Sequence, residues 1–138
     1  MKITVDTNIL VSATFWYGDS YKIIEKVDNK EIELILSKEI IEEYIEVLNS
    51  KEIQEKIKKK NLEIKYTIEK IRTISQIVEK IRSIDIIKED PTDNKFIECA
   101  IAGKATYIIS KDNHLLKLKQ FEKIKILKPE EFLKILTK

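Results

Sequence analysis

The chain has 138 residues, 43% hydrophobic and 36% charged, with 26 basic against 24 acidic residues. That length and apolar share suit one globular domain over 1–138 and exclude a disordered chain. A net charge of +2 excludes a uniformly basic polyanion-binding surface and leaves only local patches.

Cys99 is the single cysteine, so no internal disulfide can form and a reducing compartment is expected. "MKITVD" has no long apolar leader segment, and no apolar run approaches membrane-spanning length. The expectation is a cytoplasmic protein with no membrane partner.

"KITV" is a short β-branched run and reads as a strand. "ATFWYGDS" reads as a loop around Gly18. "DSYKIIEKVDN" has helical spacing, with Tyr21, Ile24 and Val27 on one stripe. "IELIL" is a second strand. Ser37 then suits an N-cap, and "KEIIEEYIEVLN" is an amphipathic helix. Residues 51–83 hold no Gly or Pro and keep helical spacing through Ile64, Ile68, Ile71, Ile74, Ile77, Val78 and Ile81. They predict a helical hairpin that breaks near "KKKNLE". "IDII" is a brief strand or an extended connection. Pro91 and Thr92 open the helix "DNKFIECAIA", and Gly103 is placed to cap it. "ATYIIS" is a buried strand, "KDNHLLKL" a loop into a short helix and "KIKIL" a last strand. Pro129 starts the terminal helix "EEFLKIL". Strands alternating with helices predict an α/β sandwich with a mainly parallel sheet.

The acids fall where strands end or helices begin. Asp6 follows "KITV", Asp112 follows "ATYIIS", and Asp93 opens a helix. In open parallel sheets, ligands bind outside the carboxyl ends of the strands. Asp93 shares a helix face with Phe96 and Ile97, but capping its helix is an equally good account. In "KEIIEEYIEVLN" the buried stripe is Ile40, Ile41, Tyr44, Ile45 and Leu48. Glu43 lies at its border, whereas Glu39, Glu42 and Glu46 project to solvent. One like-charge pair at ~4 Å costs roughly 4 kcal/mol at an effective dielectric near 20. A cluster of four carboxylates therefore needs raised pKa values or a divalent cation, and all-oxygen ligands suit Mg²⁺ or Mn²⁺. One His and one Cys fall short of a usual zinc site, and glycines only at 18 and 103 exclude a Walker loop or a dinucleotide fingerprint.

"VDTNILVSA", "LSKEIIEEYIEVL", "DPTDNKFIECAIAGKATYIISKDNHLL" and "KILKPEEFL", in that order, resemble the PIN-domain family, closest to the VapC-like toxin ribonucleases. The resemblance implies a three-layer α/β/α sandwich around a parallel sheet. It implies a metal-dependent endoribonuclease with an acidic pocket that binds Mg²⁺ or Mn²⁺, and a cognate antitoxin protein. A homodimer is also common in the family. The acids it singles out are Asp6, Glu43, Asp93 and Asp112. Asn8 and Ser110 match polar positions beside the acids. Asp90 matches a frequent acid, though its place before Pro91 suits a turn equally. His114 departs from the pattern, since many members carry another acid there.

An RNA substrate calls for positive surface. Lys56, Lys58, Lys59 and Lys60 concentrate in "EKIKKKN", and Lys95, Lys111 and Lys117 lie near the acids in sequence. Phe15, Trp16 and Tyr17 can stack bases or pack against protein, and packing is the commoner fate of clustered aromatics. Two alternatives remain at this point. One is a degenerate PIN-like module that binds RNA or protein without cleavage. The other is a receiver-like phosphoacceptor domain.

Overall fold

The computed structural model describes residues 1–60 and 62–137. Among them, strands β1 (Lys2–Val5), β2 (Glu33–Ser37), β3 (Ser75–Val78), β4 (Tyr107–Ile109), β5 (Gln120–Phe121) and β6 (Ile124–Leu127) form one sheet in the order β3-β2-β1-β4-β6-β5. All pairings are parallel except β5 with β6. The sheet is thus mainly parallel, as the alternation of elements predicts.

Helices α1 (Thr7–Phe15), α2 (Asp19–Asp28), α3 (Lys38–Leu48), α4 (Lys51–Lys60), α5 (Ile64–Ile74), α6 (Asn94–Gly103), α7 (Asn113–Leu116) and α8 (Pro129–Leu136) surround it. Strand alternation separates two faces. Thr4 and Ile35 face α6: Thr4 Oγ1 lies 3.6 Å from Cys99 Sγ, and Ile35 packs under Gly103. Tyr107 stands opposite Ile3 in register and stacks at 5.5 Å on Phe132 of α8. Helices α1, α2 and α8 pack together on that second face. The result is the expected α/β/α sandwich. Its core runs through Ile3, Val5, Leu34, Ile35, Leu36, Ile108 and Ile109, all essentially buried.

Several boundaries differ from the sequence reading. Ala13, Thr14 and Phe15 continue α1 rather than opening a loop. Phe15 is buried in the core, and Thr14 donates its hydroxyl to Leu10 O at 2.8 Å, which holds the last turn closed. The helical hairpin expected over 51–83 ends at Ile74. Ser75–Val78 is instead an edge strand paired with β2. The spacing of Ile74, Ile77, Val78 and Ile81 imitates a helix, but Ile77 is 46% and Ile81 75% exposed. Ser75 closes α5 by donating to Ile71 O at 2.6 Å. The break expected near "KKKNLE" falls between α4, which ends at Lys60, and α5, which starts at Ile64; Asn61 lies outside the described residues.

"IDII" is an extended connection held by side chains instead of a ladder. Asn94 Oδ1 accepts from Ile86 N–H (3.1 Å) and Ile87 N–H (2.9 Å), and Glu98 accepts from Ile84 N–H at 3.0 Å. Gly103 is the last residue of α6, and the left-handed cap falls on Lys104 (φ 56°). A Cβ on Gly103 would stand 2.1 Å from Ile35 Cγ2, so this glycine serves the close approach of α6 to β2. Pro91 opens a 3₁₀ turn, Pro91–Asp93, ahead of α6. No helix among the described residues is long and apolar enough to cross a membrane.

Candidate metal centre

The strand order reverses at β1, which continues to β2 on one side and meets β4 on the other. That switch point opens a crevice at the carboxyl ends of β1 and β4. Asp6 leaves β1 there, and Ser110 to Asp112 leave β4. Because both strands are parallel and adjacent, residues distant in sequence become neighbours.

Asp6 caps α1 and is only 3% exposed. Its backbone N–H donates to Ile109 O at 3.0 Å, tying it to β4. Its Oδ1 accepts from Ile9 N–H at 3.0 Å. Its Oδ2 accepts from the Ser110 hydroxyl and from Lys111 N–H at 3.3 Å. Burial pushes this carboxyl above the ordinary range. The three donors oppose that rise, and the nearby Asp112 adds to it. Ser110 is fully buried and works in both directions: it donates to Asp6 and accepts from Asp112 N–H at 2.8 Å. Asp112 Oδ1 in turn accepts from His114 N–H at 2.7 Å and caps α7.

Asp93 occupies the N-cap position of α6, but its side chain makes no capping bond. Capping therefore does not account for it. Its Oδ2 is buried and has no hydrogen-bond partner among the described residues, and neither has the buried Nδ1 of His114, 3.8 Å away. Burial raises the Asp93 carboxyl to about 7, reinforced by the charges of Asp112 and Asp90 and opposed by Lys95. A carboxylate left in that state calls for a cation or a proton.

Glu43 reaches the same cleft from α3. Its Oε1 accepts from the Thr7 hydroxyl, and its Oε2 receives Lys95 Nζ at 2.6 Å. Lys95 is itself largely enclosed and also donates to Thr92 O at 3.0 Å. Asp90 serves a turn: its backbone O accepts from Asp93 N–H at 3.0 Å. Its carboxylate accepts from the Thr92 hydroxyl at 2.7 Å, which holds its pKa below the usual range.

The cleft, about 350 Å³, brings together Asp6, Asn8, Glu43, Asp90, Asp93 and Asp112. Ser110 lies beneath it, holding Asp6. Glu46, expected in solvent, also borders it one helical turn after Glu43. One ligand atom each from Asp90, Asp93 and His114 lies within 4.8 Å of the others. Oxygen donors with one imidazole fit a hard divalent ion such as Mg²⁺ or Mn²⁺, and the unpartnered Asp93 oxygen is the structural mark of that fit. Sequence reasoning does not foresee the pairing of Thr7 with Glu43, and it offers Lys95 as positive surface for RNA, whereas here Lys95 is engaged by Glu43. Their roles depend on pairing with Glu43 across 36 and 52 positions, and no local spacing encodes such a pairing.

The family model for the PIN domain matches residues 2–114. Among solved structures, a chain in the crystal structure of VapBC2 from Rickettsia felis, bound to a DNA fragment from their promoter, is similar in fold. The TM-score is 0.61 at 16% identity, covering 91% of this chain and 97% of that one. No match is found among curated proteins. The matched segment contains every acid described above and ends at His114. The chain belongs to the PIN-domain family.

Proposed function

We propose that this chain is a Mg²⁺- or Mn²⁺-dependent endoribonuclease, the toxin of a toxin–antitoxin pair, folded as one domain and acting in the cytoplasm. PIN-family membership carries the nuclease class and sets aside the receiver-like alternative. The observation that carries the metal dependence is Asp93 Oδ2, buried without a partner in a cleft that Asp6, Glu43 and Asp112 also line.

In this reading Asp6, Asp93 and Asp112 would hold the ion, and Glu43 would ligate it or orient a water. A bound divalent ion acidifies a water and offsets the charge that gathers on the scissile phosphate. The protein's own contribution is placement. Ser110 and Lys111 N–H fix the Asp6 carboxylate and favour its ionised form. Thr7 and Lys95 hold Glu43 from both oxygens, so its carboxylate has one orientation at the rim. Asp90 and His114 each offer a ligand atom within 4.8 Å of one on Asp93.

The proposed partners are an RNA substrate, a cognate antitoxin protein and a second copy of this chain. The fold likeness to a chain of the VapBC2 assembly supports the antitoxin. Glu43 paired to Lys95 is the one observation that favours the degenerate, non-cleaving alternative, because that lysine already neutralises it. Cleavage of a mixed-sequence RNA by purified protein separates the two. We expect cleavage with Mn²⁺, none with EDTA and none from Asp6→Asn, whose fold persists. Cleavage that survives EDTA or Asp6→Asn sinks the proposal.

A further inference from the structure

The cleft explains the acids but not the exposed aromatics at the far end of α1. Trp16 is 49% and Tyr17 84% exposed. Tyr21 of α2 meets Tyr17 edge-on at 4.8 Å. Lysines from α4 close on this corner. Lys56 Nζ lies 4.9 Å from the centre of the Trp16 ring, and Lys60 Nζ donates to Phe15 O at 2.5 Å. The last turn of α4 carries Lys58, Lys59 and Lys60 and no acid. A pocket of about 350 Å³ opens between Trp16, Tyr17, Tyr21 and Lys60.

We propose that this corner is a stacking platform for a single-stranded segment of the RNA, leading to the acid cleft. The inference rests on the ribonuclease reading and extends it to substrate binding. Exposed aromatic faces interleaved with lysines are the chemistry that binds single strands: rings stack bases, and ammonium groups meet phosphates. Geometry links the two places. Asn8 and Ser12 sit at i and i+4 on one face of α1, and Trp16 follows the helix's last residue in extended conformation. Asn8 borders the cleft, and Trp16 lies at the platform. Midway, Lys111 Nζ reaches Ser12 Oγ at 3.4 Å, placing a positive charge along the path. The nine residues of α1 span about 14 Å. The charge pattern favours a polyanion as occupant over an apolar protein surface. The acids of the cleft are then kept for the cation and the scissile phosphate, while the lysines of α4 take the flanking phosphates.

Trp16 is the chain's single tryptophan, so its emission reports on this corner alone. The test titrates the full-length protein with a non-cleavable 2′-O-methyl oligonucleotide, single-stranded or as a duplex. We expect the single strand to quench Trp16 and the duplex to leave it unchanged. Tyr17→Ala removes no core packing, because the side chain is exposed, and should weaken binding about tenfold. Trp16→Phe should keep most of the affinity, whereas Trp16→Ala should not. Quenching by a protein that fails to cleave RNA supports the platform and contradicts the nuclease reading. Cleavage with no quenching, and with Tyr17→Ala binding as tightly as the parent, overturns the platform and leaves the nuclease reading standing. Variants that break a dimer in light scattering while binding the oligonucleotide unchanged also overturn it, in favour of a protein-covered face.

Discussion

Asp93 carries a burial penalty that Lys95 offsets only in part. Its neighbours Asp90 and Asp112 are also acids, and its Oδ2 has no donor among the described residues. The pH consequence has a definite sign. With a folded-state pKa near 7, Asp93 keeps its proton while the unfolded chain loses it above the ordinary carboxylate range. Folding therefore loses stability as pH rises from about 4 towards 7, and Asp6, shifted in the same direction, adds to the loss. In EDTA, the melting temperature should fall between pH 5 and pH 8, and Asp93→Asn should raise it at pH 8 above that of the parent. Calorimetric melting at the two pH values reads both effects; a metal-free parent that melts higher at pH 8 contradicts them. In the sequence, Asp93 is balanced between a cap and a ligand. Both readings want an acid at a helix start, and only the missing cap bond separates them. Asp6 does both: it caps α1 through Ile9 N–H and lines the cleft.

The elements were legible wherever periodicity and punctuation agree. Pro129 and the apolar spacing after it mark α8, and Ser37 marks the start of α3; Ser37 Oγ does accept from Ile40 N–H at 3.3 Å. The edge strand β3 was not legible, because isoleucines spaced for a helix serve equally as a short strand when the sheet supplies the partner. The two-residue β5 is too short to carry any signal. Gly103 was placed correctly at the helix end but for another reason. Its lack of a Cβ lets α6 touch Ile35, and the left-handed cap falls on Lys104. Two substitutions one residue apart should thus have opposite signs. Gly103→Ala should destabilise by about 1–3 kcal/mol through overpacking. Lys104→Gly should stabilise by about 0.5–1 kcal/mol by relieving a positive φ. Urea unfolding of both variants checks this, and a neutral Gly103→Ala would mean that Ile35 can move aside.

For the whole molecule, strand order brings two of the four cleft acids together, and α3 and the turn before α6 bring the other two. Asp6 and Asp112 are 106 positions apart, yet parallel neighbours β1 and β4 deliver them to one crevice. The order of motifs along the chain pointed to that set. The hydroxyl and ammonium clamps on Glu43 emerge only once α1 and α6 are folded against α3. Charge is divided in the same way: the near-neutral net charge of +2 conceals an acidic cleft at one end of α1 and lysines at the other. If that division serves RNA, raising salt should weaken oligonucleotide binding steeply, and replacing Lys56 and Lys60 by Gln should flatten the dependence by about one to two phosphates' worth. A filter-binding series from low to moderate salt reads the slope; equal slopes in parent and variant would place the phosphates elsewhere.

The central claim is that the carboxylates at the switch point hold a divalent cation. Titration calorimetry of the metal-free protein with Mn²⁺ near neutral pH tests it most directly. Saturable binding with release of protons is expected, since Asp93 must give up its own. Asp6→Asn and Asp93→Asn should lose that binding, and Tyr17→Ala should keep it. Absence of saturable heat in the parent, or equal binding in the two carboxylate variants, would contradict it.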